Sequence, residues 1–192
     1  MVLGELGRLS LQNTVTKRML NFWARIVTGK QSKLVSILYK LSKIMHENGT
    51  FHSNWIDKVK TSLELSGMGH CWYMQADLNV KWFTNAISLR LDDIGRQQWE
   101  SDVSNSRACY NYRLFKQNFG FEKYLTQLDP ADRITFTKFR CLNHKLPIVT
   151  GRYAGVDRER RYCTLCNINT LGDEYHFLFE CTVLTDLRKK LI

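Results

Sequence analysis

The sequence predicts a mostly α-helical fold, and three observations support this. Apolar residues recur at intervals of three and four along most of the 192 residues, which is the spacing of one helix face. No segment of strand length shows the Val- and Ile-rich alternation of a β-strand. The chain contains only 2 Pro, so few segments are barred from helix. We expect an irregular helical bundle over residues 1–145, with a smaller module in residues 146–192.

Four helices are expected in the first half of the chain, from apolar spacing combined with residues that begin or end helices. Ser and Asn side chains favour helix starts, and Gly favours helix ends because it adopts positive φ without strain. The four predicted segments are 13–27 followed by Gly29, Ser32 to Asn48-Gly49, Ser53 to Gly67, and the long amphipathic segment 79–103.

The second half is expected to hold shorter elements. Residues 107–128 are predicted to form two short helices separated at Gly120. Asp129-Pro130 has the residue types of an N-cap and a first helical position, so a helix should run from there to about Asn143. The following segment, Leu146 to Val156, is expected to be extended.

Composition excludes several classes of protein. The hydrophobic content of 44% argues against intrinsic disorder, and no apolar stretch is long enough to cross a bilayer. The first ten residues lack the basic and apolar pattern of a secretory signal. We therefore expect an intracellular protein of the nucleus or cytoplasm, with no membrane partner and with reduced cysteines.

The net charge of +10 points to a polyanionic partner, most often nucleic acid. This charge is concentrated in two blocks. Residues 1–50 hold 8 basic and 2 acidic residues, and residues 107–161 hold 12 basic and 5 acidic residues. The segments 51–106 and 162–192 are slightly acidic. The second block directly precedes a cluster of cysteines, whereas the sequence does not explain the first.

The cysteine cluster has the spacing of a metal site: Cys163-x2-Cys166-x9-His176-x4-Cys181. Three thiolates and one imidazole are ligands that suit one tetrahedral Zn²⁺, and four protein ligands leave no open position for water. We therefore expect one structural zinc ion rather than hydrolytic chemistry. Gly172 permits a turn and Asp173 can cap a short helix that carries His176. Because five residues along an α-helix rotate the side chain by about 140°, Cys181 should lie at or beyond the end of that helix.

Two alternatives to this metal site remain open. The cysteines and the histidine could be buried, reduced core residues that share this spacing by chance. A rival ligand set could use Cys141 and His144, which have C-x2-H spacing. Cys71 and Cys109 stand alone in the sequence and are expected to be core residues.

The helix after Asp129 is predicted to carry a basic stripe. Arg133, Thr137, Arg140 and His144 fall within about 60° of one another on a helical projection. Such a stripe could follow a phosphate backbone, although an ordinary solvated helix face is the alternative. Further candidates for binding nucleic acid flank this stripe or precede the first zinc ligand: Lys138, Lys145, Arg152, Arg158, Arg160 and Arg161.

The C-terminal motifs resemble a known family. They are Phe139-Arg140-Cys141-Leu142-Asn143-His144-Lys145-Leu146-Pro147, then Thr150-Gly151-Arg152, then Arg161-x-Cys163-x2-Cys166, and finally Gly172-Asp173-Glu174-Tyr175-His176-Phe177-Leu178-Phe179-x-Cys181. Together they resemble the C-terminal zinc-binding region of LINE-type (non-LTR) retrotransposon reverse transcriptases. The resemblance is strongest from Phe136 onward. It implies the same four zinc ligands, and it likens residues 1–145 to the helical region that follows the polymerase.

The resemblance implies binding of RNA, or of single-stranded or target DNA, beside an upstream polymerase domain of the same open reading frame. This chain has no polymerase signature of its own. Its one Asp pair, Asp92-Asp93, lies in a helical pattern and is expected to be a solvated helix face. We therefore expect a binding module that is not itself an enzyme. The alternative is a zinc-stabilised module for protein interaction or scaffolding.

Overall fold

The computed structural model describes residues 1–190, and its regular secondary structure in that range is helical apart from two isolated β-bridges. The predicted mostly α-helical fold class is confirmed. The bridges join Leu6 to Phe121 and Tyr162 to Leu171. None of the helices within residues 1–190 has both the length and the apolar content needed to span a membrane.

The α-helices, numbered in chain order, are α1 (Val2–Glu5), α2 (Leu11–Val27), α3 (Lys33–Glu47), α4 (Asn54–Leu65), α5 (Val80–Asn105), α6 (Tyr112–Phe115), α7 (Tyr124–Gln127), α8 (Pro130–Arg140), α9 (Pro147–Tyr153) and α10 (Thr185–Lys189). Short 3₁₀ turns occupy Gly69–Trp72, Gln75–Asp77, Arg107–Cys109, Arg158–Arg160 and Thr182–Leu184, and one π-helical turn occupies His176–Glu180.

The predicted helix starts are confirmed at Ser32, Ser53 and Asp129, whose side chains each accept a backbone hydrogen bond from the first turn. Helix α2 begins at Leu11, two residues earlier than predicted, because the side chain of Ser10 caps it. The pattern over 107–128 gives two short helices on either side of Gly120, as predicted.

One predicted segment is wrong. Leu146 to Val156 is not extended, because α9 occupies Pro147–Tyr153 within it. Pro147 stands at the first helical position, where its missing N–H has no intrahelical partner to lose. The hydroxyl and the N–H of Thr150 both bond to the carbonyl of Leu146 and close the first turn.

The chain divides into two compact units, and the first is Leu9–Trp99. Its core is built on Trp23, whose ring stacks on Trp72 at 6.0 Å between centroids and meets the edge of Phe83 at 5.7 Å. The indole N–H of Trp23 donates to the hydroxyl of Tyr39 over 3.0 Å, so the one polar atom of this buried ring has a partner. Burial raises the pKa of Tyr39 to about 12. Here apolar helix faces form a core, as their spacing predicts.

The second unit combines Met1–Arg8 with the residues from Glu100 onward. The carbonyl of Glu5 accepts from the backbone N–H of Glu122 over 2.9 Å, next to the Leu6–Phe121 bridge. Gly7 has a φ of +59°, and a Cβ there would lie 2.5 Å from the backbone nitrogen of Phe121. Only glycine therefore fits this crossing of two backbone segments.

The division differs from the boundary that we expected after residue 145. Hydrogen bonds that cross that position explain the difference, and an ion pair joins Met1–Arg8 to the same unit. Arg140 pairs with Glu5, and the buried Glu174 accepts from Asn111 and His144. Residues 100–145 therefore belong to the same unit as the cysteine cluster.

Candidate metal centre

The first half of the centre is a hairpin-like loop over residues 161–172. The backbone N–H of Cys163 donates to the carbonyl of Thr170 over 2.8 Å, and that of Gly172 donates to the carbonyl of Arg161 over 2.8 Å. The loop is tightly built at Gly172, where a Cβ would lie 2.9 Å from the Cα of Cys163. These bonds hold the C-x2-C turn in place.

The second half is the turn that carries His176. The carboxylate of Asp173 accepts from the backbone N–H of His176 over 2.9 Å, which is the predicted cap. The N–H of Cys181 then donates to the carbonyl of His176 over 2.7 Å, closing a π-helical turn. Such an i→i+5 turn is wider than an α-turn and brings the fifth residue back toward the first. Cys181 lies at the end of this turn, as predicted, and its side chain is fully buried.

The four predicted ligands come together. The ligand atoms of Cys163, Cys166, His176 and Cys181 all lie within 4.8 Å of one another. The Sγ of Cys166 is 3.3 Å from the Nε2 of His176. In a tetrahedral zinc site, metal–ligand bonds of 2.0–2.3 Å put ligand atoms about 3.5–3.8 Å apart. The cluster can therefore close around one metal ion with small side-chain adjustments.

The imidazole of His176 is oriented for this role. Its Nε2 points to the cysteines, while its Nδ1 lies 3.1 Å from the hydroxyl of Thr170 and 3.4 Å from a carboxylate oxygen of Glu180. A proton on Nδ1 can be donated to these oxygens, which leaves the Nε2 lone pair free for a metal. Second-layer contacts of this kind fix the tautomer of metal-binding histidines.

The thiol groups differ in their acidity. Burial alone would raise the pKa of Cys163, but hydrogen bonds from the backbone N–H groups of Leu165 and Cys166 outweigh it and lower that pKa to about 7. The lowered pKa favours the thiolate, which is the form that binds metal.

The rival ligand set is not formed. Within residues 1–190, the only His, Cys and carboxylate group close enough to hold an ion is the set of four described above. The Nε2 of His144 lies instead 2.7 Å from the carboxylate of Glu174, and its Nδ1 accepts from the backbone N–H of Leu146. Burial tends to raise the pKa of Glu174, but the hydrogen bonds from His144 and Asn111 lower it overall. His144 thus anchors the metal turn to the rest of its unit.

Arg140 also lies elsewhere than expected. Its guanidinium forms two hydrogen bonds with the carboxylate of Glu5, at 2.9 and 3.2 Å, and a third with the carbonyl of Phe115. The side chains of Arg140 and Glu5 are 11% and 1% exposed. The expected basic stripe is therefore corrected, because Arg140 is enclosed in an ion pair with Glu5 and His144 in a hydrogen bond with Glu174.

The remaining basic residues that were predicted to bind nucleic acid divide into three groups, of which the third lines a groove. Lys138, Lys145 and Arg160 are exposed. Arg133 and Arg161 are partly buried and donate to backbone carbonyls, Arg133 to Leu125 and Arg161 to Ile148 and Val156.

Arg152 and Arg158 line a groove of about 660 Å³ together with Arg107 and Tyr110. The guanidinium of Arg158 lies 4.7 Å from the centre of the Tyr110 ring, and that of Arg152 lies 5.0 Å from the ring of Tyr153. Sequence spacing did not bring Arg107 into one site with Arg158, because the two residues lie far apart along the chain.

Sequence reasoning also missed the two buried glutamates, Glu5 and Glu174. Each is satisfied by partners far along the chain, and no local pattern marks either of them. Comparisons of the chain with protein-family models, with curated proteins and with solved structures gave no match.

Proposed function

We propose that this chain is a zinc-stabilised nucleic-acid-binding module with a structural rather than catalytic metal. The observation behind the proposal is the set of three cysteines and one histidine, all buried except the half-buried Cys163, whose ligand atoms lie within 4.8 Å of one another. Thiolate and imidazole ligands suit Zn²⁺, and four protein ligands make a closed site. Zinc there would join the Cys163 loop to the His176 turn, and its charge would stabilise thiolates.

The charge of the surrounding chain supports nucleic acid as the partner. Residues 107–161 hold 12 basic and 5 acidic residues and belong to the unit that contains the metal centre. Exposed Lys138, Lys145 and Arg160 would contact phosphates, while Arg140 and His144 would stabilise the unit from inside. Reduced thiols are required for this ligand set, which favours the nucleus or the cytoplasm.

The resemblance to the C-terminal region of LINE-type reverse transcriptases supports the same proposal. In that setting the module would hold RNA or target DNA for a polymerase domain encoded upstream. The contact between Glu174 and His144 joins two of the motifs that carry the resemblance.

A scaffold for protein interaction is the second candidate, and one observation favours it. Helix α3 exposes a row of large apolar side chains, among them Leu34 at 66%, Leu38 at 53% and Ile44 at 54%. Exposed apolar surface of this kind often marks a protein interface. A salt-insensitive complex with a protein partner, without affinity for nucleic acid, would favour this function.

Metal analysis and binding assays on the full chain test the proposal. We expect one zinc per chain, lost in the double variant Cys163→Ser, Cys166→Ser and kept in Cys71→Ala, which changes a cysteine outside the cluster. Binding to an RNA oligonucleotide should weaken with salt, with a log–log slope of about −0.7 per phosphate contacted. Binding should also weaken when zinc is lost. A metal-free chain with an intact C-terminal unit would refute the zinc site, and salt-independent or undetectable RNA and DNA binding would refute the partner.

A further inference from the structure

The groove lined by Arg107, Tyr110, Arg152 and Arg158 has the size and chemistry of a ligand site. Its volume of about 660 Å³ lies within the range of about 300–1,000 Å³ that is typical of small-molecule pockets. Its walls include three separate segments, the turn Arg107–Cys109 with Tyr110, helix α9, and the turn Arg158–Arg160, and Leu142 and Glu174 also line it. We call this site the arginine groove.

Three guanidinium groups in the groove are not neutralised by protein. Within residues 1–190, Arg107, Arg152 and Arg158 form no ion pair with a carboxylate. Asp157 and Glu159 also line the groove, yet neither side chain is within ion-pair distance of these arginines. Cationic groups that lack a carboxylate partner in a concave site are available to an anionic ligand.

The other charged groups of the groove are already committed. The guanidinium of Arg161 donates to the carbonyls of Val156 and Ile148, over 2.8–3.1 Å, so it holds the wall of the groove in shape. Glu174 lies at the base, where Asn111 and His144 donate to its two carboxylate oxygens. The groove therefore combines a rigid frame with three unneutralised cations.

Flat groups accompany the cations. Arg158 and Arg113 both approach the ring of Tyr110, at 4.7 and 5.5 Å, and Tyr110 remains 54% exposed. Tyr153 is 80% exposed beside Arg152. Tyrosine rings and guanidinium planes are the surfaces on which unpaired bases stack, while arginine also forms bidentate bonds to phosphate.

We propose that the arginine groove binds one unpaired nucleotide of single-stranded nucleic acid, with its base against Tyr110 and its phosphate on Arg107 and Arg158. A base inside a double helix is stacked on its neighbours and cannot enter a concave site, so the groove selects single strands. This inference rests on the proposed nucleic-acid function and assigns that function to a particular site.

Matched variants test the groove in the full, zinc-loaded chain. Arg107→Ala with Arg158→Ala removes two groove cations, and Lys30→Ala with Lys40→Ala removes two exposed charges from the other unit. Arg107→Lys with Arg158→Lys keeps the charge and removes the planar groups. Zinc content and far-UV circular dichroism of each variant confirm folding. The probe is a short unstructured oligonucleotide, made as RNA and as DNA, with a hairpin duplex as the third arm.

The expected results separate the groove from general electrostatics. The alanine pair should weaken single-strand binding by at least about tenfold, since it removes two charged contacts to the phosphate. The lysine pair should lose a smaller part of the affinity, and the distant pair should change it by less than about threefold. Photocrosslinking with an iodouracil-substituted strand should label the peptide that contains Tyr110. The hairpin duplex should bind more weakly than either single strand.

Three outcomes would overturn the inference. If the wild type binds and both alanine pairs weaken binding equally, or if crosslinks map outside the groove, the groove is not the site while the proposed function stands. Duplex binding that is as tight as single-strand binding, and equally sensitive to the groove variants, would refute the selection of single strands. If the wild type binds no nucleic acid, the proposed function and the groove both fall.

Discussion

Replacing Arg140 by alanine should destabilise the unit that contains the metal centre far more than an ordinary surface change. The substitution removes two hydrogen bonds from the carboxylate of Glu5, whose side chain is 1% exposed. Breaking one partner of a buried ion pair costs about 3–5 kcal/mol, because the other charge remains without compensation. Tyr124 still donates to Glu5 over 2.8 Å, so we expect a loss near the lower end, about 3 kcal/mol.

The measurement must distinguish the two units. All five tryptophans lie within Leu9–Trp99, so tryptophan fluorescence follows the unfolding of that unit. Hydrogen exchange of the α8 amides, followed by mass spectrometry, reports the other unit. Arg140→Ala should speed exchange in α8 while the tryptophan transition stays in place.

A second substitution on the same helix serves as the control. Lys138 is exposed on the same helix, and Lys138→Ala should change the free energy of unfolding by about 0.5 kcal/mol or less. Combining Arg140→Met with Glu5→Gln should recover part of the lost stability, since no uncompensated charge is then buried. If Arg140→Ala and Lys138→Ala lowered the free energy of unfolding equally, the inference that the Arg140–Glu5 pair stabilises this unit would be refuted.

Three further predictions concern the unit that contains the metal centre. Burial tends to raise the pKa of Glu5, but its hydrogen bonds to Arg140 and Tyr124 lower it overall. The stability that the Glu5–Arg140 pair contributes is therefore complete above the ordinary carboxyl pKa, and it is lost as pH falls through the pKa of Glu5 in the folded state. Acid titration of α8 exchange should show this loss in the wild type and not in Glu5→Gln. Gly7→Ala should destabilise the same unit by about 1–3 kcal/mol in the exchange assay, because a positive φ strains alanine and the backbone of Phe121 leaves no room for a Cβ. An unchanged exchange rate would contradict this. Zinc chelation should expose Cys163, Cys166 and Cys181 to thiol reagents while tryptophan fluorescence stays unchanged. A loss of the native tryptophan fluorescence on chelation would contradict the expectation that Leu9–Trp99 stays folded without the metal.

The local features of the fold were predictable from sequence. Helix caps such as Ser53 and Asp129 work through hydrogen bonds to residues two or three positions away, so their pattern is visible in a short window. The four metal ligands were predictable for a similar reason, since the chemistry of the ion restricts both residue type and spacing. The extended segment predicted at Leu146 was wrong because Pro147 begins a helix there and does not interrupt one.

The role of Arg140 could not be predicted in the same way. Helical periodicity predicts that Arg133, Arg140 and His144 share a face, but it does not show whether that face meets water or protein. His144 in fact lies beyond the end of α8 at Arg140. The partner that decides this, Glu5, lies 135 residues away from Arg140. The arginine groove depends on similarly distant segments, since Arg107 and Arg158 meet only through the folding of the chain between them.

The position of Met1–Arg8 has a consequence for the order in which the protein folds during synthesis. This segment leaves the ribosome before Leu9–Trp99, yet its backbone partner Glu122 and its charge partner Arg140 are made much later. At about 5–20 residues per second, Glu5 waits roughly 7–27 s for Arg140. A helical unit such as Leu9–Trp99 folds in far less time, so it is complete while the first segment is still unattached. Met1–Arg8 therefore joins its own unit only after Leu9–Trp99, which separates the two parts of that unit in the sequence, has folded.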